Sequence, residues 1–265
     1  MKRRRSQIST PIGASPEIFL SVVIPAFNEV GRIGATVSHV CSYLDAQRWT
    51  WEVIVVLDGG RDGAAAEVNA AAAGRTSVRL LDNRINRGKG FSVRRGLLEA
   101  CGRYRLFIDA DLSLPIEGAA AMIAALEHGA DVVIGSRTAE GSVVTGARIP
   151  LRRTMGRVFN AVVQLLAVSG YRDTQCGFKG FRGDAAEHIF RLSRIDRFGF
   201  DVEALRLART LGYRVAEIPV ACTYRPSSSV RRIWDAASMV ADLLRARWYE
   251  ATGRYAERPP VNRPQ

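Results

Sequence analysis

The chain has little from which to build a metal or disulfide framework. Its four cysteines, Cys41, Cys101, Cys176 and Cys222, are scattered through 265 residues and form no Cys-x-x-Cys pair. That spacing excludes a zinc ribbon or a stapled scaffold and suits a reducing cytoplasm. Histidine is scarcer still, and His39, His128 and His188 fall on helical segments outside any motif, so they are read as surface or packing residues. No segment offers the ~20 apolar residues that a spanning helix needs. The first apolar run, Ile18 to Ala26, is short and holds Pro25, with Asn28 just beyond, so a strand is expected rather than a signal peptide or membrane span. Internal repeats are absent, as are helix-turn-helix, zinc-finger and aromatic RNA-binding signatures, and no nucleic-acid partner is expected.

What is present is basic charge at the ends. The formal net charge is +12, and Lys2, Arg3, Arg4 and Arg5 meet no acid before Glu17. Between 225 and 265, eight Arg stand against four acids. Such ends suit an anionic membrane surface, and a peripheral position on its cytoplasmic face is expected. Hydrophobic content of 47% is ordinary for a chain with a sizeable core. The expected organisation is a basic flexible tail over 1–17, one catalytic domain over 18–225, a loop and amphipathic helix over 226–250, and a disordered Pro- and Arg-rich tail over 251–265.

Through the first half, β-rich runs alternate with helical patterns. Strands are expected at Phe19–Ile24, Trp51–Leu57, Val78–Asp82, up to Asp109 and at Asp131–Gly135. Helices are expected at about 31–47, 63–73, 88–100 and 116–128. This order predicts an α/β fold with a mostly parallel central sheet covered by helices on both faces. In the second half, amphipathic helices are expected at Arg152–Ser169 and Ile233–Tyr249, a loop and strand at Asp173–Phe181, a helix at Phe200–Leu211, and an edge strand at Arg214–Tyr224 carrying Pro219. Both amphipathic helices suit either an interfacial position or docking on the core.

The apolar run Tyr104–Ile108 stops on Asp109-Ala110-Asp111. Two carboxylates from one face then project beyond the carboxyl edge of the sheet, where ligands of open α/β folds sit. Paired hard oxygens there suit Mg²⁺ or Mn²⁺, and that ion suits a nucleotide diphosphate. Asn86-Arg-Gly-Lys-Gly90 is a glycine loop opening a helix, and its amides with Lys89 suit a phosphate or a base carbonyl.

Pro25-Ala-Phe-Asn-Glu29, Asp58-Gly-Gly60, Asn86–Gly90 and Asp109–Asp111 come in the order and spacing of the inverting GT-A glycosyltransferases of family 2. The resemblance covers about Phe19 to Trp248. Asp173-Thr-Gln-Cys-Gly-Phe-Lys179 and Phe198-Gly-Phe-Asp-Val-Glu203 resemble more narrowly the dolichyl- and polyprenyl-phosphate β-glucosyltransferases, cousins of the polyprenyl-phosphate mannose synthases. The resemblance implies a GT-A, Rossmann-like fold and transfer of a hexose from a nucleotide sugar, UDP-glucose first, to polyprenyl phosphate.

It also implies roles. Pro25, Ala26, Asn28, Glu29, Asp58, Lys89, Asp109 and Ala110 would bind the nucleotide, and Asp109 and Asp111 would hold the metal, with Ser113 in support. Arg137, Arg152, Arg153 and Arg231 or Arg232 would meet the acceptor phosphate, since a guanidinium fork binds two oxygens at once. Gln175 and Lys179 would line the sugar and acceptor face. Asp201 holds a catalytic claim as a base, and Glu203 stands behind it. Two positions depart from the pattern: Leu57 stands where an acid is common, and Ser229 stands where a lysine is common. The alternatives are transfer to a soluble or polysaccharide hydroxyl, use of GDP-mannose, and an idle nucleotide-binding scaffold.

Overall fold

A computed structural model describes residues 17–60, 62–146, 170–223 and 232–255. In chain order the elements are β1 (Leu20–Ala26), α1 (Ile33–Asp45), β2 (Trp51–Leu57), α2 (Ala64–Ala71), β3 (Val78–Asp82), α3 (Lys89–Glu99) and β4 (Tyr104–Ile108). A 3₁₀ turn at Ile116–Gly118 leads into α4 (Ala119–Glu127), followed by β5 (Val132–Ser136) and β6 (Val143–Thr145). Then come β7 (Phe178–Arg182), α5 (Gly183–Leu192), α6 (Phe200–Thr210), β8 (Val215–Pro219), β9 (Ala221–Thr223) and α7 (Arg232–Ala251).

Seven strands form one sheet in the order β3-β2-β1-β4-β7-β5-β8, and β6 pairs with β9 beside it. Only β7 runs antiparallel to its neighbours in the large sheet, so the expected mostly parallel sheet is what forms. Because the central strands β1, β2, β4 and β5 are buried on both faces, alternate residues feed two cores. Val22, Ile24, Val53, Val55 and Leu57 pack with α1, α2 and α4. Val23, Ile54 and Val56 pack with α3, α5, α6 and the Leu243 and Ala246 positions of α7. Pro219, which has no N–H to give, ends the edge strand β8.

The sheet order reverses between β1 and β4. At such a switch point the loops beyond the strands part, leaving a crevice at the carboxyl edge. The loops after β1 and β4 border it, and they carry Asn28-Glu29 and Asp109-Ala-Asp111.

Two departures from expectation concern the second half. The sequence pattern marks no element between Phe181 and Phe200, yet α5 follows β7 without a loop. Its apolar face, Ala185, Ala186, Ile189 and Phe190, is fully buried. The apolar spacing of Ile233–Tyr249 puts Leu244 and Trp248 on one stripe, suited either to a lipid surface or to the core; both are exposed, and the helix docks through Asp242, Leu243 and Ala246. The docked face is offset from the stripe, so the helix has both a packed side and an outward apolar side. The expected helix at Arg152–Ser169 lies outside the described residues, as do 1–16 and 256–265. The expectation of a disordered tail from 251 is corrected over 251–255: α7 runs to Ala251, and Tyr255 is held by a hydrogen bond to Glu203.

Candidate active site

Sharp turns end the two strands that border the crevice. Asn28, after β1, has a φ of 55°, and Leu112, after Asp111, has a φ of 48°. An apolar side chain in the left-handed region costs on the order of 1–3 kcal/mol and persists where its surroundings demand it. Here the demand comes from Asp111, whose Oδ1 accepts the Ser113 amide at 2.9 Å, and from Asp109, whose carbonyl accepts the Leu112 amide at 3.2 Å. This turn aims both carboxylates beyond the strand. Glu29 joins them. Burial raises its carboxyl above the usual range, and the charges of Asp111, Asp109 and Asp62 add to this while Arg32 opposes it. These four acids therefore share one electrostatic environment.

Asp109 is fixed by two neighbours. Lys89 Nζ lies 2.6 Å from its Oδ1. Its other oxygen rests against Gly177, where an added Cβ would lie 2.1 Å from Oδ2. The glycine of Asp173-Thr-Gln-Cys-Gly177 is thus required by the carboxylate across from it. Gly177→Ala must displace Asp109, and we expect about a 10–100-fold loss of kcat, with a melting temperature near that of the wild type. Unchanged turnover would mean that the Asp109 position is not critical.

Lys89 lies next to a second ion pair. Lys179 is 0% exposed, and its Nζ donates to Asp201 Oδ1 at 2.6 Å and to the Cys176 carbonyl at 2.7 Å. Burial opposes the charge of Lys89, but Asp109 and Asp201 outweigh it and raise its pKa. Acids and lysines thus alternate in a chain, Asp109, Lys89, Asp201, Lys179. Lys179 is sealed inside this chain and cannot meet an acceptor, which corrects that expectation. Asp201 is buried as well, with an oxygen committed to Lys179, so it is not placed to take a proton from a substrate.

The glycine loop is also not what its sequence suggested. Asp58 collects the amides of Arg87 and Gly88 at 2.9 and 2.8 Å, and the Asn83 Nδ2 at 2.9 Å. Those two amides are therefore spent inside the protein rather than offered to phosphate. Asp58 is itself buried and shapes the loop instead of meeting a base directly. The glycines serve close packing. A Cβ on Gly88 would lie 2.4 Å from the Asp196 carbonyl, and one on Gly90 2.6 Å from that of Ile195. Asn83, which also bonds Ser92 Oγ at 2.9 Å, belongs to this structure and carried no sequence signal beyond its place after β3.

Pro25, Ala26 and Ala110 have buried side chains. The Ala26 carbonyl accepts the Asp58 amide at 2.9 Å, and the Ala110 carbonyl accepts Thr36 Oγ1 at 2.7 Å. The Ala26 and Ala110 carbonyls thus each already have one partner within the protein. The exposed residues of the β1 loop are Phe27, Asn28, Val30 and Gly31. Gly60 packs against Asn28 and Gly59 against the Ile85 backbone, so the loops after β1, β2 and β3 meet. Phe27 and Ile85, 44% and 63% exposed, are apolar residues of these joined loops that the motif reading passed over. Leu57 is buried in the core and presents nothing to the crevice.

On the far side of the site, Arg137 grips Asp173 with Nε and Nη2 at 2.7 and 2.8 Å, and its amide adds a third bond at 3.0 Å. Burial works against the Asp173 charge, yet the guanidinium holds its carboxyl below the usual range. One edge of the Arg137 fork is therefore occupied, and the expectation of a free fork is corrected. Gln175 Nε2 lies 3.7 Å from Met239 Sδ on α7. Arg152, Arg153 and Arg231 lie outside the described residues.

Residues 21–190 match the glycosyl transferase family 2 model. The chain belongs to that family. A dolichyl-phosphate beta-glucosyltransferase of Drosophila melanogaster is 35% identical over 243 residues, covering 87% of this chain and 74% of the relative. The Homo sapiens protein of the same name is 33% identical over 258 residues, covering 91% and 78%. Among solved structures, glucosyl-3-phosphoglycerate synthase of Mycobacterium tuberculosis, in complex with Mn²⁺, UDP-glucose and phosphoglyceric acid, superposes with a TM-score of 0.67 at 18% identity, covering 86% of this chain and 79% of that one. That likeness shows the fold.

For a family 2 glycosyltransferase, the donor set at the β4 end fits a hard divalent ion. Asp109 and Asp111 supply carboxylate oxygens from one turn, with Glu29 close enough to feel both. Among the described residues no three His, Cys, Asp or Glu side chains form a closed metal cage. Two protein carboxylates, with the remaining positions filled by phosphate and water, are the usual holding of Mg²⁺ beside a nucleotide. His39, His128 and His188 stand apart: they contact Glu117, the Ala124 carbonyl and Tyr213.

Proposed function

We propose that this chain moves glucose from UDP-glucose to a polyprenyl phosphate such as dolichyl phosphate, with inversion at the anomeric carbon. The observation that carries this reading is the sealing of Asp201 against Lys179. Transfer to a hydroxyl calls for a base that can reach it, and the acid proposed for that role is withdrawn into the protein. A phosphate monoester needs no base, because its second pKa is about 6 and it arrives as an anion. The names of the relatives, dolichyl-phosphate beta-glucosyltransferases at 31–35% identity, support the same acceptor.

The residues divide the work. Asp111 and Asp109 would hold Mg²⁺ or Mn²⁺, which supplies Lewis-acid stabilisation of the departing diphosphate. Phe27 and Ile85 offer apolar faces to the nucleobase, and Asn28 and Glu29 offer polar groups to the nucleoside. Arg137 would meet the acceptor phosphate through its Nη1–Nη2 end, with Arg152, Arg153 and Arg231 as further cations. Among the described residues no helix is long and apolar enough to cross a membrane. We assign the chain a peripheral place on the cytoplasmic face, through the basic ends and the outward side of α7, where Leu244 and Trp248 are exposed beside Arg245 and Arg247.

The test is transfer of label from UDP-glucose, UDP-N-acetylglucosamine and GDP-mannose into an organic-extractable product, with undecaprenyl or decaprenyl phosphate and Mg²⁺ or Mn²⁺. Label from UDP-glucose in the lipid phase is expected. Label only from GDP-mannose would change the donor. Silence with all three donors, with transfer to a sugar hydroxyl instead, would overturn the acceptor.

A further inference from the structure

Helix α7 meets the predicted site residues at Gln175, through Met239, and two further lines of contact run from it toward the glycine loop and Asp201. The first begins at Asp242, the acid on its docked face. Asp242 is 5% exposed, and its Oδ1 accepts Arg245 Nη1 at 3.1 Å. Its Oδ2 is buried and takes no hydrogen bond among the described residues. It is pressed against Gly199, where an added Cβ would lie 2.4 Å from the Asp242 Cβ and 3.0 Å from Oδ2. Gly199 opens α6, and the first turn of α6 carries Asp201 and Glu203. A buried carboxylate at that end lies beside the positive pole of the helix. Burial pushes the Asp242 carboxyl up, against Arg245, the Gly199 amide and Arg197, so the acid is held there at a cost.

The second line begins just past α7. Tyr255 donates its hydroxyl to Glu203 Oε1 at 2.7 Å. The same carboxylate collects the amides of Arg194 and Ile195 at 2.9 and 3.0 Å. Arg194 Nε in turn donates to the Arg254 carbonyl at 3.0 Å. Residues 195–197 are the backbone on which Gly88 and Gly90 lie without room for a methyl group. The Phe91 amide also donates to the Asp196 carbonyl at 3.0 Å. Farther along α7, Glu250 accepts Arg206 Nε at 2.6 Å and Thr210 Oγ1 at 3.0 Å, which clamps the rest of α6.

A helix that served only to seat the protein on lipid would need a docked apolar stripe and nothing more. Here the docked side spends a buried acid on the start of α6, and the turn behind it spends a tyrosine on the carboxylate that organises 194–197. We propose that Asp242 and Tyr255 are positioning residues for the nucleotide sugar: they fix the 194–201 segment, which fixes the glycine loop and Lys89, while touching neither donor nor acceptor. This rests on the reading of the crevice as the nucleotide-sugar site.

The experiment uses the full chain, with calorimetric titration of UDP in Mn²⁺ and no acceptor, followed by KM for each substrate. Tyr255→Phe and Asp242→Asn are expected to weaken UDP about five- to tenfold and to raise donor KM by a similar factor, leaving acceptor KM unchanged. Ala241→Ser, on the outward side of the same helix, is expected to bind UDP as the wild type does. Tyr255→Phe removes a single hydroxyl, so it keeps the test decisive if Asp242→Asn fails to fold. Unchanged UDP affinity in Tyr255→Phe overturns the proposal, as does a rise confined to acceptor KM. Absence of UDP binding in the wild type overturns the reading of the crevice and this inference with it, and that outcome is separable because it precedes any substitution.

Discussion

Asp111→Asn is expected to lower transfer by on the order of a thousandfold and to abolish the metal-dependent part of UDP binding, while leaving the melting temperature unchanged or slightly raised. The substitution preserves shape and removes charge. The side-chain oxygen that accepts the Ser113 amide survives as an amide oxygen, so the turn with Leu112 in the left-handed region keeps its support. The acid cluster loses one of the charges that raise the Glu29 pKa, which relieves repulsion rather than creating it. A stability loss would therefore point to misfolding and not to chemistry. Asp109→Asn makes the comparison informative. Asp109 already neutralises Lys89 at 2.6 Å, so its replacement unpairs a half-buried cation and should cost both stability and activity. Metal-dependent UDP binding in Asp111→Asn, measured by the same titration with and without Mn²⁺, decides the assignment. Near-normal turnover would transfer the metal role to Asp109 and Glu29.

The position of that turn was legible because its causes are local. A short apolar run bounded by turn residues fits a strand, and β2, β3 and β4 occupy the spans that the pattern predicts. The site lies where an acid pair ends such a strand. Contacts between distant segments were not legible. Gly88 and Gly90 read as a phosphate loop because nothing nearby announces the backbone of 195–197, about a hundred residues on, against which they pack. Asp58 read as a base contact, although it closes on amides twenty-nine and thirty residues later. Helix α7 shows a milder form of the same limit. Its apolar stripe gave the helix, but the docked face includes Asp242, a residue that any hydrophobic pattern assigns to solvent. Charged residues withdrawn from water depend on partners that sequence spacing does not reveal.

Lys179 is the sharpest case, and Lys179→Met is the second large effect expected. A lysine with no exposed surface is rare unless it is paired, and this one has two acceptors, Asp201 Oδ1 and the Cys176 carbonyl. Methionine fills the volume of the stem but leaves Asp201 buried with only Lys89 facing it. Burial raises the Asp201 pKa in the intact protein, and the main opposing charge would be gone. The loss of one partner from a buried pair costs about 3–5 kcal/mol, a fall in melting temperature on the order of 10 °C for a chain of this size. The double variant Lys179→Met with Asp201→Asn removes both charges, so it is expected to recover more than half of that stability. Its activity should stay low, because Lys89 then leans on Asp109 alone. Stability and activity thus part company in the double variant, and that separation distinguishes a pair kept for the site from one kept for the core. Full recovery of turnover along with stability would make the pair structural, and an unchanged melting temperature in Lys179→Met would mean that the buried charge is not held as the geometry requires.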